Sequence, residues 1–228
     1  MLIYRRLERM ADETDTILDV GTKDGNYLGS MAGNVVGVDL EFKFPLKSEI
    51  SSYMYADGRR LPFETNSFDY VVMNQVLEHV EEREPLINET ARVLKPDGIA
   101  LFSFPNSLAF NRPHGLPRWL SILPKPVGKR LASRFLSSDR FEYYASGVFP
   151  LSPIGARRLL GRSFEKVEYI TIDESVNSAD IYGSSLAPRF FVFCLPLIQR
   201  ATVLPPFAWF FELVWSYVGY ECTGPQSG

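Results

Sequence analysis

Four short apolar runs, each ending in an acidic or amide side chain beside a turn, restrict what this chain can become. They read TILDVG, VVGVDL, YMYADG and FDYVVMN, and a fifth run, GIALFSF, follows them. Strands covered on both faces appear as continuous apolar runs, and strands alternating with helical patterns make βαβ units with parallel neighbours. Strands are therefore expected at 16–20, 35–40, 53–56, 68–74 and 98–104. Between the last two, Leu86, Ile87, Thr90, Ala91, Val93 and Leu94 recur at helical spacing, and LKPDG closes that helix with a proline and a turn. The expected fold class is α/β: a Rossmann-like, mostly parallel sheet with helices on both faces.

A chain of 228 residues with 46% hydrophobic content can bury one substantial core, so a single domain over 1–228 is expected. Residues 105–150 are too long for an ordinary connection and are rich in Pro, Asn and Arg, which marks a substrate-side insertion. Ser152 then caps a helix with Pro153 at its first position and Ala156, Leu159 and Leu160 on one face. A strand near 165–172, a hydrophobic segment at 186–220 and a last strand around 217–222 complete the chain.

Charge excludes some partners. The formal net charge is -3, so no nucleic acid is expected. Between Gly98 and Ser138 there is no Asp or Glu, yet Arg112, Arg118, Lys125, Lys129, Arg130 and Arg134 occur there, interleaved with Trp119, Leu120, Ile122 and Leu123. Such a segment suits peripheral contact with an anionic membrane, or a lipid-linked or phosphorylated substrate; a solvated loop with an apolar underside suits it equally. The C-terminal aromatics fit an apolar acceptor, a homo-oligomer interface or core, and all three stay open. Polar and proline breaks keep these runs below bilayer-spanning length. The charged N-terminal stretch lacks the pattern of a signal peptide, so the expected location is cytoplasmic, with attachment at a membrane surface open. Cys194 and Cys222 lie far apart and only two histidines accompany them, so no metal is expected.

The strand ends carry the chemistry. In ILDVGTKDGNYL, Gly21 and Gly25 allow tight turns against a ligand, and Asp24 is placed to cap a helix starting near Gly25. About 20 residues beyond Asp19, Asp39 stands where a doubly wound fold receives the two hydroxyls of a ribose. Asp57, in YADGRRLPF, offers an acceptor for an exocyclic amine. These ends fall along the carboxyl edge of one sheet, where open α/β folds bind ligands.

The series ILDVG, VVGVDL, ADGRRLPFETNSFDYVVMNQVLEHV and ARVLKPDGIALFSFPN, covering roughly residues 16–106, resembles the small "type 11" class I S-adenosylmethionine (SAM)-dependent methyltransferases. The resemblance implies the class I methyltransferase fold, a seven-stranded sheet with an antiparallel last strand, and SAM as cofactor. It places Asp39 on the ribose, Leu40 against adenine, and Asp57 with Gly58 at the adenine edge. Asp19, Gly21, Gly25 and the backbone near Asn74 and Gln75 fall at the methionine end. One position departs: Lys23 stands where the family usually has a further glycine. Its side chain turns outward, pairs with the cofactor carboxylate or obstructs the site, and the sequence leaves all three open.

His79, after the fourth strand, is the candidate catalytic base for an oxygen acceptor, with a structural or pocket-lining histidine as the alternative; His114 in the insertion is a weaker candidate. The implied activity is methyl transfer to a small-molecule or lipid-like acceptor. A non-catalytic binding or scaffold protein on the same fold is the rival that Lys23 favours. An NAD(P)-dependent oxidoreductase ranks lower, because the loop lacks the close glycine pair of GxGxxG.

Overall fold

The computed structural model describes residues 2–28, 31–42, 45–48, 50–107, 120, 123–170 and 217–226. Its frame is one seven-stranded sheet in the order β3-β2-β1-β4-β5-β7-β6. The strands are β1 (Thr16–Val20), β2 (Asn34–Asp39), β3 (Ser52–Tyr55), β4 (Phe68–Asn74), β5 (Leu94–Pro105), β6 (Phe164–Tyr169) and β7 (Tyr217–Pro225). β1 pairs in parallel with β2 and β4, β3 with β2, and β5 with β4; β7 lies antiparallel between β5 and β6.

The apolar runs are strands because both of their faces find cover. Adjacent residues of β1, Ile17 and Leu18, enter different clusters, as do Val71 and Val72 of β4 and Ala100 and Leu101 of β5. On one face the cover is α2 (Arg83–Val93) and the helix Pro153–Leu160, through Leu86, Ile87, Ala91, Ala156 and Leu160. On the other it is α1 (Leu2–Met10), which inserts Ile3, Tyr4 and Leu7. Ile3 and Leu7 are fully buried, which stabilises the fold by roughly 3 to 6 kcal/mol as an upper bound. Arg6 pairs with Glu221 at 2.7 Å and fastens α1 to β7.

Two expectations are corrected. No helix starts at Gly25 among the described residues: 21–28 is a run of turns, and Asp24 is taken by Lys47 at 2.7 Å and by the Asn26 amide. β5 starts at Leu94, not Gly98: Leu94 pairs with Phe68, the register then jumps, and Ile99 pairs with Tyr70, so the KPDG turn is a bulge carried within the strand. Lys95 in that bulge grips Asp69 at 2.8 Å. α1 was not anticipated.

The insertion supplies two helices, α3 (Lys125–Phe135) and α4 (Ser138–Ser146), which pack through Ala132 and Tyr144. Ser152 caps the next helix, α5 (Pro153–Leu160), by accepting from the Gly155 amide at 3.1 Å. His114, Trp119, Ile122, the part of the insertion at 108–119 and most of the hydrophobic segment at 186–220 lie outside the described residues. Among the described residues no helix is long and apolar enough to cross a membrane.

Candidate active site

Parallel strands leave their carboxyl ends on one edge, and the loops there enclose a cavity of about 400 Å³, within the range of small-ligand pockets. Val20 and Gly21 come from the end of β1, Asp39 and Leu40 from β2, and Asp57 and Gly58 from the loop after β3. Val76, His79 and Phe149 also line the cavity. Six expected positions thus line one space: Gly21, Asp39, Leu40, Asp57, Gly58 and His79. Asp19, Lys23, Gly25, Asn74 and Gln75 are outside the set of residues lining it.

Gly21 must be glycine for two reasons. Its φ is +82°, and a Cβ there would meet the Val76 Cγ2 at 2.3 Å. Lys23 shares the left-handed conformation without that freedom, with φ 58°, a strain of about 1 to 2 kcal/mol for an L residue. The strain has an evident counterweight. The Lys23 amide donates to Asp39 Oδ2 at 2.7 Å, and the Glu41 amide donates to Oδ1 at 2.9 Å. An ionised carboxylate has about four acceptor sites, so Asp39 keeps capacity for two further donors such as a ribose diol.

Asp57 is more committed. Arg59 folds back on it with Nη2 at 2.7 Å and Nε at 3.1 Å from Oδ2, and its own amide reaches Oδ1 at 2.9 Å. Hydrogen bonding to Arg59 holds the Asp57 carboxyl below its ordinary range. An exocyclic amine would share or displace Arg59. That clamp was missed in the sequence, although an arginine two residues after a turn aspartate is the signal for it.

Asp19 is buried, at 1% exposure. Tyr4 donates to its Oδ1 at 2.9 Å and Thr22 to its Oδ2 at 2.5 Å. Burial pushes its carboxyl up to about 6 despite those bonds, because desolvation disfavours the charged form. It acts here as an internal clasp between α1, β1 and the glycine loop.

Asn74 ends β4 with a buried Oδ1 that has no hydrogen-bond partner, and Gln75 follows with φ 56°. A buried acceptor without a donor costs free energy, and strand-end strain of this kind gathers at ligand sites. The residues present fit SAM at the ribose, through Asp39, and offer an unused acceptor at Asn74; at the adenine edge they fit once Arg59 yields.

Sequence comparison gives the family. A profile described as "Methyltransferase domain" matches residues 18–102, the stretch from β1 to β5 that builds the cavity floor. Over that stretch the chain is similar to the methyltransferase domain family. The ubiquinone/menaquinone biosynthesis C-methyltransferase UbiE of Idiomarina loihiensis is 31% identical to it over 165 residues, 70% of this chain and 57% of that protein. The chain thus spans little more than half the length of that relative. Among solved structures, a SAM-dependent methyltransferase from Mesorhizobium loti has a TM-score of 0.54 at 17% identity, covering 97% of each chain. Phosphoethanolamine N-methyltransferase 2 of Haemonchus contortus has a TM-score of 0.59 at 14% identity, covering 98% of this chain and 52% of that one. These structures share the methyltransferase fold.

Proposed function

We propose that the chain binds SAM in the strand-end cavity and transfers its methyl group to a small-molecule or lipid-like acceptor. The observation that carries this reading is the meeting of Gly21, Asp39, Leu40, Asp57 and Gly58 around one cavity. Leu40 is 70% exposed on its rim, an apolar surface suited to one face of a purine. Bound SAM supplies a methyl group already activated on a sulfonium, so the chain's residues have to hold the nucleoside, align the acceptor and exclude water. Asp39 accepts from the ribose hydroxyls while the Lys23 and Glu41 amides fix the orientation of its carboxylate. Asp57 and Gly58 meet the adenine edge, and Asn74 receives a donor at the methionine end. A curated relative named for ubiquinone and menaquinone C-methylation supports a quinone-like ring as the first acceptor to assay.

A dinucleotide oxidoreductase is disfavoured by the sheet itself. Two mononucleotide halves give strand order 3-2-1-4-5-6, whereas an antiparallel β7 separates β5 from β6 here. A non-catalytic binding domain is favoured by the Asp57–Arg59 clamp and is an outcome of the same experiment. Titration calorimetry with S-adenosylhomocysteine and with NAD is expected to give heat with the first alone. Lys23→Gly should bind S-adenosylhomocysteine within about tenfold of the unmodified chain, since the backbone already holds a glycine-like φ. Silence of both proteins with S-adenosylhomocysteine removes the proposal. Binding without transfer of radiolabelled methyl to any quinone or lipid acceptor leaves a binding domain.

Peripheral attachment belongs to the same proposal. α3 has no acidic residue; Lys129, Arg130 and Arg134 are exposed, with Val127 at 47% and Phe135 at 71%. A cationic and apolar surface of this kind suits an anionic bilayer. Flotation with anionic but not neutral vesicles is expected, and sedimentation away from both rejects it.

A further inference from the structure

We propose that His79 is a positioning residue: its imidazole pins the end of α4, and through it Phe149, against the cavity wall. This rests on the binding reading above. The contact is direct, with His79 Nδ1 at 2.6 Å from the Gly147 carbonyl oxygen, which caps α4. A carbonyl oxygen only accepts, so Nδ1 carries the hydrogen.

Two neighbours strengthen the same grip. The Phe149 amide donates to the Glu78 carbonyl at 2.7 Å. Arg83 donates from Nε to the Leu77 carbonyl at 2.6 Å and from Nη2 to the Phe149 carbonyl. Leu77, Glu78 and His79 form one 3-10 turn after β4, so every residue of the LEH motif engages the 147–149 segment directly or through Arg83. From the other side, Lys125 Nζ donates to the Tyr144 and Val148 carbonyls and lies 4.9 Å from the centroid of the Phe149 ring. Phe149 and His79 both face the cavity. The end of the helix pair α3–α4 is thus tied down where the chain after it lines the cavity.

A base and a post differ in which nitrogen they need. The amide nitrogen of asparagine stands about where Nδ1 stands in histidine, so His79→Asn keeps the donor and discards the basic imidazole, while His79→Ala discards both. His79→Ala is expected to lose about tenfold or more in kcat/KM through acceptor KM, and His79→Asn to recover most of that KM loss without altering the shape of the pH profile. Hydrogen exchange gives a readout independent of turnover. The Gly147 and Phe149 amides should stay protected in the asparagine variant and exchange faster in the alanine variant, whether or not the chain binds SAM. An asparagine variant as slow as the alanine variant with protection intact assigns a base and overturns the proposal; equal protection in all three proteins also overturns it.

Discussion

Asp39→Ala is expected to weaken S-adenosylhomocysteine binding by about 100-fold or more. Hydrogen bonds to a charged group are worth about 1.5 to 3 kcal/mol each, and the ribose would bring two hydroxyls to this one carboxylate. The loss has a second origin. Asp39 also receives the Lys23 and Glu41 amides at 2.7 and 2.9 Å, so its removal leaves a left-handed lysine without the bond that offsets its strain. The glycine loop should relax, and the melting temperature should fall alongside the affinity. Asp39→Asn keeps one acceptor oxygen and should lie between the two, near tenfold. Calorimetry showing unchanged affinity for Asp39→Ala would remove the ribose assignment and the cavity's claim to a nucleoside.

The second large effect is on stability, and it is tied to pH. Glu78 is 2% exposed, and neither of its carboxylate oxygens has a hydrogen-bond partner. Burial pushes its carboxyl up to about 7 from an ordinary 4.5, against the pull of Arg83. A raised folded pKa means that the folded chain binds the proton more tightly than the unfolded chain. Stability from this group therefore falls as pH rises from about 4.5 to 7 and is lower by about 3 kcal/mol above that window. Asp19, raised to about 6 from 3.8, acts in the same direction over a lower window. Glu78→Gln holds the side chain neutral at every pH. Denaturant melts at pH 4 and pH 8 should show the variant gaining about 3 kcal/mol on the unmodified chain between the two. Parallel curves would mean that Glu78 finds a donor in solution and is ionised throughout.

Much of the frame was legible because it obeys a simple rule. β1 and β4 start and stop where the apolar runs do, since strands buried on both faces tolerate little else. The β5 boundary was not legible, because a proline and a turn normally end a run, and here the sheet absorbs them as a bulge paired across to Phe68. α1 was missed for a different reason. Ile3, Tyr4 and Leu7 are too few to raise a periodic signal, and they matter only because the far face of the sheet needs a cover.

At the site, Asp39 and Asp57 reached the cavity because strand ends are fixed by topology. Asp19 did not, as its fate turned on Tyr4 and Thr22, contacts that no linear spacing announces. Phe149 was hidden too. It lies far from the strand motifs and is held at the wall by contacts from His79, Glu78, Arg83 and Lys125. The departure at Lys23 was not legible at the backbone: the chain keeps the glycine's shape there and uses the amide, so the substitution costs strain without losing the turn.

The antiparallel pairing at the sheet's far end carries a wider consequence. Tyr169 sits opposite Tyr220, and the Ile170 amide bonds the Gly219 carbonyl at 2.9 Å, so β6 ends beside the start of β7 at one corner of the sheet. Two strand ends held side by side fix each other's register locally, so that corner depends little on the length of the connection between them.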